Sequence, residues 1–245
     1  DRTQIAFTTG RPAQIVTIRT DGSGLRELGP AGTFTYSPAW SPDGTMIAFM
    51  GEPASGPGPQ FEIHVMDADG SDVRKLTGPR TGFGAEPPGS FGANPQWSPD
   101  GSTIVYSRDS TPETEDGWTG HIWTLSVGAG SAARLTAASA VDEGYPAYSP
   151  DGSQIAYARD GAIWVMGADG TDPHQLVADG STPRWSPDGS LIAYTTAVAK
   201  GPPGLSVVEV ATGRHRRVGD IRVRANPPVW WTNDTLLIRH GRVVE

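Results

Sequence analysis

Residues Asn94–Ser107 read NPQWSPDGSTIVYS, and three further stretches are near copies: Ser37–Met50 (SPAWSPDGTMIAFM), Tyr145–Ala158 (YPAYSPDGSQIAYA) and Thr182–Thr195 (TPRWSPDGSLIAYT). A fifth copy, Pro227–Ile238 (PPVWWTNDTLLI), keeps the framework without the Pro-Asp-Gly turn. The N-terminal residues from Asp1 to Phe7 align with Asp43–Phe49, so a sixth copy enters part-way through. The aromatic anchors Trp40, Trp97, Tyr148, Trp185 and Trp230 lie 57, 51, 37 and 45 residues apart. A constant motif at irregular spacing describes a fixed structural unit joined by loops of variable length.

Each motif is followed by a second pattern. Phe61–Gly70 (FEIHVMDADG), Ala162–Gly170 (AIWVMGADG) and Gln14–Gly22 (QIVTIRTDG) alternate like strands and end in an Asp-Gly turn, and a short strand such as Val73–Thr77 (VRKLT) comes next. The period is two throughout, punctuated by Gly, Asp and Pro, and no segment carries a helical period. Four short antiparallel strands per repeat define the blade of a β-propeller. Proline ends the first strand, and glycine accepts the positive φ of the turn. A widening gap between twisted blades calls for one bulky aromatic per repeat, with a small residue (Ala48, Ala156, Ala193) facing it. The aromatic anchors are therefore expected in the core.

The expectation is an all-β, six-bladed propeller of four-stranded antiparallel blades with incomplete terminal blades, forming one domain over 1–245. The blades are placed at about 1–29, 36–77, 94–137, 145–178, 182–220 and 226–245, the first lacking its inner strand. Strand order puts the tight first-to-second and third-to-fourth turns at one end of each blade. The long connections 51–60, 78–93, 108–120 and 137–144 leave from the other end, where binding residues concentrate.

The 245 residues carry 19 basic and 27 acidic side chains, a net charge of −8, and no cysteine. Disulfides, thiol catalysis and cysteine metal sites are excluded. The acidic balance argues against nucleic-acid binding, and no apolar run reaches the ~20 residues of a membrane helix. No signal peptide is expected in these residues. Arginines at 214, 216, 217, 222 and 224 make a basic sector on an otherwise acidic chain.

The run W-S-P-D-G-x-x-I-A-[FY], followed by I-x-V-M-D-x-D-G and R-x-L-T, resembles the TolB-like β-propeller repeat, and the resemblance covers essentially the whole chain. It implies a bacterial repeat protein that binds a protein partner outside the cytoplasm, whether periplasmic, secreted or lipid-anchored. Similar repeats also form the gating propeller of prolyl-oligopeptidase-type serine hydrolases, which is the alternative function. The resemblance carries over no catalytic residue, and no Gly-x-Ser-x-Gly, His-Glu-x-x-His or P-loop run occurs.

The repeated aspartates Asp43, Asp100, Asp151 and Asp188 read as turn-forming residues, because a metal ligand need not recur in every repeat. The loop containing Asp109, Glu113 and Asp116 is the one weak calcium candidate; otherwise no metal or cofactor is expected. His64 stands where Trp123 and Trp164 stand in equivalent strands, a packing position, while His121 reads as an ordinary surface histidine, with coordination or titration as its alternative role. Candidate partner-binding residues are the inner-strand entrances and unusual loop residues: Asn94, Tyr145, Arg184, Glu86, Glu143, Trp118 and Arg224. Arg184 is the clearest departure, since its cognates are Ala39, Gln96, Ala147 and Val229. A non-catalytic, monomeric scaffold follows, taking a protein partner or a small anionic ligand at the long-loop face and channel mouth.

Overall fold

The computed structural model describes residues 3–10, 13–54, 61–77, 94–109, 120–137, 141–198, 201–218, 228–230, 232–233 and 235–237. Among these every regular element is a strand. The first sheet holds β1 (Gln4–Thr9), β2 (Gln14–Arg19) and β3 (Arg26–Leu28). The second runs β4 (Thr33–Trp40), β5 (Met46–Pro53), β6 (Glu62–Asp67) and β7 (Arg74–Lys75). In the third, β8 (Gln96–Trp97), β9 (Thr103–Asp109), β10 (Gly120–Ser126) and β11 (Ala132–Arg134) lie in chain order. The fourth is β12 (Glu143–Tyr148), β13 (Gln154–Arg159), β14 (Ala162–Gly167) and β15 (His174–Val177). The fifth is β16 (Ser181–Trp185), β17 (Leu191–Val198), β18 (Gly201–Glu209) and β19 (His215–Arg217), and a ladder of β20 (Val229–Trp230) with β21 (Leu236–Leu237) follows.

These sheets are propeller blades, four of them four-stranded and antiparallel. The expected number is corrected: among the described residues five sheets reach blade size, not six. The sixth copy of the repeat gives the two-residue strands β20 and β21 among the described residues, and residues 227, 231 and 238–240 of the expected strands 227–231 and 236–240 lie outside them. The physical reason lies in the sequence of its turn, where Trp231, Thr232, Asn233 and Asp234 follow the anchor in place of Ser and Pro-Asp-Gly, so neither the serine of the clasp nor the glycine of the turn is available. The Asn233 side chain is spent elsewhere, its Oδ1 accepting the backbone N–H of Asp188 at 3.1 Å.

In the complete copies the clasp is the same each time. Ser186 Oγ donates to Asp188 Oδ1 at 2.6 Å, that oxygen accepts the Ser190 N–H at 3.0 Å, and Ser186 Oγ in turn accepts the Leu191 N–H at 2.9 Å. Asp43, Asp100 and Asp151 repeat the pattern with their own flanking hydroxyls. Gly44, Gly101, Gly152 and Gly189 supply φ of 73–74°. Each carboxyl is held below its ordinary value, first by the preceding serine hydroxyl and then by the backbone N–H it accepts.

The contacts fall into two compact units, Asp1–Trp118 with Trp123–Arg134, and Thr119–Ile122 with Leu135–Glu245. In the first, one core packs Ile15, Leu28, Ile47, Phe49 and Met66, and a second packs Ile63, Val65, Trp97, Ile104, Tyr106 and Leu125. In the second, Ile163, Val165, Trp185, Ile192, Tyr194 and Val208 close round Ala147 and Ala156. The anchors also bind through their edges. Trp97 Nε1 donates to the carbonyl of Ala39 at 3.0 Å, Trp185 Nε1 to Ala147 at 3.1 Å and Trp230 Nε1 to Arg184 at 2.9 Å. Each indole thus ties its inner strand to an inner strand of an earlier repeat, satisfying a buried donor.

Candidate functional site

The inner strands carry a bulge at their entrance. Register slips between Tyr36 and Ala39, between Gly144 and Ala147, and between Ser181 and Arg184. At the slip the residue before proline takes a left-handed φ: 50° at Ser37, 54° at Tyr145 and 53° at Thr182. Proline disfavours the right-handed helical region for the residue before it, and non-glycine residues rarely go left-handed. A bulge re-aims the side chain it carries. At Thr182 the result is structural, because Thr182 Oγ1 lies 2.8 Å from Thr195 Oγ1 inside the sheet. At Tyr145 the side chain is only half-buried.

Two residues beyond Thr182 stands Arg184, also half-buried. One arm is tied down, Nη1 donating to the carbonyl of Pro183 at 2.8 Å. No carboxylate pairs with it among the described residues. Desolvation pulls its pKa down to about 10, and the charge of Tyr145 acts in the opposite direction. The guanidinium therefore stays charged at neutral pH. The Tyr145 hydroxyl is pushed up by burial and by Asp142, with Arg184 opposing, so it stays protonated and can donate. A phenol O–H and a partly desolvated guanidinium are both donors, of the chemistry that can match an anion.

The other predicted residues go elsewhere. Glu143, at the start of β12, is 2% exposed. Its Oε2 lies 3.5 Å from Nδ1 of the equally buried His121, and its Oε1 lies 3.7 Å from Arg159 Nη1. Arg159 in turn lies over the Trp164 ring at 4.8 Å. Glu143 is thus an interior ion-pair residue, and His121 is an interior histidine rather than a surface one. Sequence reasoning missed this cluster. Its available signal was the Tyr157-x-Arg159 pattern opposite Trp164, repeated as Tyr106-x-Arg108 with Arg108 over Trp123 at 5.1 Å. His64 stacks on Phe49 at 5.3 Å and 16°, and desolvation lowers its pKa. Asn94 is buried, and its Oδ1 accepts the Ser37 hydroxyl at 3.4 Å. Glu86, Trp118, Arg224, Glu113 and Asp116 lie outside the described residues, as does the side chain of Asp109. Among the described residues no three His, Asp or Glu side chains gather to hold a metal, and no helix is long and apolar enough to cross a membrane.

No family model matches the chain. In an alignment of 170 positions that covers 57% of this chain and 23% of its counterpart, it is 28% identical to the uncharacterized peptidase YuxL of Bacillus subtilis. Among solved structures it superimposes on TolB from Acinetobacter baumannii with a TM-score of 0.73 at 19% identity, over 92% of this chain and 55% of that one. Puromycin hydrolase superimposes with a TM-score of 0.64 at 18% identity, over 92% of this chain and 38% of that one. The fold is that of the TolB-like β-propellers.

Proposed function

We propose that this chain is a non-catalytic binding propeller, working outside the cytoplasm, that takes an anionic group of a protein partner or small ligand on Arg184 and Tyr145. The observation that carries this reading is the Arg184 guanidinium. It is half-buried, lacks a carboxylate partner among the described residues, and occupies a position neutral in every other copy. Keeping such a charge out of water is costly unless a partner arrives to match it. The location outside the cytoplasm rests on the TolB-like resemblance. The test is calorimetric titration of the full chain with inorganic phosphate, citrate and a short peptide with a free C-terminal carboxylate. At least one should bind saturably, and Arg184→Gln should abolish that binding. If none binds, or if Arg184→Gln binds equally well, the reading fails.

A second reading has its own support. The likeness to YuxL, and the fold shared with puromycin hydrolase, fit a propeller that belongs to a prolyl-oligopeptidase-type serine hydrolase. A Gly-x-Ser-x-Gly segment elsewhere in the gene, with peptidase activity lost on replacing that serine, would decide for it.

A further inference from the structure

The sequence holds ten Asp-Gly pairs, and nine of them lie within the described residues. Such a pair is open to attack by the glycine nitrogen on the aspartyl side chain, because glycine has no Cβ to crowd the approach. In eight of the nine the glycine N–H is already donated to a carbonyl. Gly44, Gly101, Gly152 and Gly189 reach the serine three residues back, and Gly22, Gly70 and Gly170 span the same distance in their own turns, all at 2.9 Å. In these seven pairs the carboxylate is engaged as well, its Oδ1 accepting the N–H two residues on at 2.8–3.1 Å. The eighth glycine, Gly180, is buried and donates to the Gly161 carbonyl at 2.7 Å. Asp160-Gly161 is the exception. It forms the two-residue turn between β13 and β14, where Arg159 pairs with Ala162, with φ of 49° and 74°. Both residues are exposed, and a Cβ placed on Gly161 would meet no atom within 4 Å. Among the described residues neither the Gly161 N–H nor the Asp160 carboxylate has a hydrogen-bond partner.

We propose that Asp160 is a site of spontaneous covalent modification, converting to isoaspartate in the folded chain in preference to every other described Asp-Gly pair. The Gly161 nitrogen attacks Cγ of the neutral Asp160 carboxyl. An N–Cγ bond forms, a Cγ–O bond breaks, and the hydroxyl leaves as water with the amide proton. One water from solvent then opens the five-membered imide. Cleavage of the N–Cγ bond restores aspartate, whereas cleavage between that nitrogen and the backbone carbonyl carbon of residue 160 leaves isoaspartate, whose main chain runs through Cβ and Cγ. Water is released once and taken up once, and nothing is oxidised or reduced. At the seven clasped pairs the hydroxyl and N–H bonded to the carboxyl hold it below its ordinary value, which lowers the share of the neutral form. The change also has a structural reach. The Asp160 N–H donates to the carbonyl of Asp142, just before β12, at 3.1 Å, and the Gly161 carbonyl receives the Gly180 N–H, just before β16. Isoaspartate lengthens the main chain by one methylene between those two bonds, so at least one of them loosens.

The full chain is incubated at neutral pH, folded in buffer and unfolded in urea, and isoaspartate at each Asp-Gly pair is mapped by mass spectrometry with electron-transfer fragmentation. In the folded chain residue 160 should convert at least about fivefold faster than any other described pair, since each of those must first release a hydrogen bond. In urea that advantage should disappear. Asp160→Asn keeps a residue type that tolerates the left-handed region, and it should react at the same place faster, releasing ammonia instead of water. In the isomerised fraction the amide of residue 160 or of Gly180 should exchange faster with solvent. No isoaspartate at 160 in the folded chain, or equal conversion at the clasped pairs, overturns the proposal. An advantage that persists in urea overturns it too, by assigning the preference to local sequence alone. So does an Asp160→Asn chain that stays intact, or unchanged exchange at both amides after conversion.

Discussion

The two ends of β16 behave differently. At its turn end Ser186, Asp188 and Ser190 bond to one another, and their arrangement recurs at Ser98, Asp100 and Ser102 and at Ser149, Asp151 and Ser153. At its entrance end Thr182 is locked to Thr195, while Arg184 has one arm on a carbonyl and the rest of its fork unmatched among the described residues. Each end has its charged group, Arg184 on the strand and Asp188 in the turn just after it. The difference is where each charge finds its partner. A carboxylate that accepts its own turn's hydroxyl and N–H needs nothing further, so it can recur in every blade. A guanidinium without such a partner would be a burden if repeated, and it occurs once. Repetition here marks bonds completed within the unit, and departure from it marks a group left for something else.

The largest effect is expected between the two ends. Trp185→Ala removes a buried ring from a core of Ile163, Ile192 and Tyr194 and deletes its bond to the Ala147 carbonyl, and should cost about 3–5 kcal/mol in denaturant melts. A loss below about 1 kcal/mol would mean that the ring is not a packing anchor. Arg184→Gln should divide the two ends cleanly. Stability should change by less than about 1 kcal/mol, because no ion pair among the described residues is lost. Affinity for the anionic probe should fall at least about tenfold, and more steeply at low salt. Equal losses of stability and affinity would turn the entrance into one more structural contact.

The turn ends should show themselves in acid. The carboxyls of Asp43, Asp100, Asp151 and Asp188 titrate below their unfolded value in the folded chain. Their stabilisation is therefore complete above an unfolded pKa of about 3.9 and is lost as pH falls through the folded values. His64, whose pKa burial depresses, has the same sign and begins to contribute to the loss below about 6.5. The urea midpoint should decline in two stages on acidification. Replacing all four aspartates by asparagine should flatten the lower stage and leave the upper one. A lower stage of unchanged size would remove the clasp as its cause.

Much of this comparison is legible in the sequence, for a physical reason. A turn that closes on its own side chains needs fixed residue types at fixed spacing, so SPDG with a following Ser or Thr announces both fold and bonding. Arg184 is legible as the exception at a position otherwise small or neutral. What could not be read depends on contacts between distant segments. The left-handed φ at Tyr145 follows from a bulge that proline permits but does not announce. The burial of Glu143 depends on His121 and Arg159, contributed by two other strands. The sixth blade was overcounted because Pro228, Trp230 and Leu236–Leu237 preserve the hydrophobic framework. Trp231 and Asp234 meanwhile stand where the other copies have the serine and the glycine of the turn.

The smallest expected effect is the most useful control. Asp172 sits in the turn between β14 and β15 with a φ of 51°, and Asp72 matches it between β6 and β7 at 48°. Asn tolerates the left-handed region as Asp does, so Asp172→Asn removes a charge while leaving the backbone unstrained. Stability should move by no more than about 0.5 kcal/mol. Affinity for the anionic probe should change less than about twofold, because a surface charge at the turn end is screened over roughly 8 Å at physiological salt. Paired titrations of Asp172→Asn and Arg184→Gln under one buffer make the comparison direct. The entrance reading requires the arginine variant to lose binding while the aspartate variant keeps it. If the aspartate variant changes affinity as much as the arginine variant, charge is acting over the whole unit and Arg184 has no special place. If only the aspartate variant changes it, the turn ends are the binding face, and the repeated clasp has a role beyond closing its own hairpins.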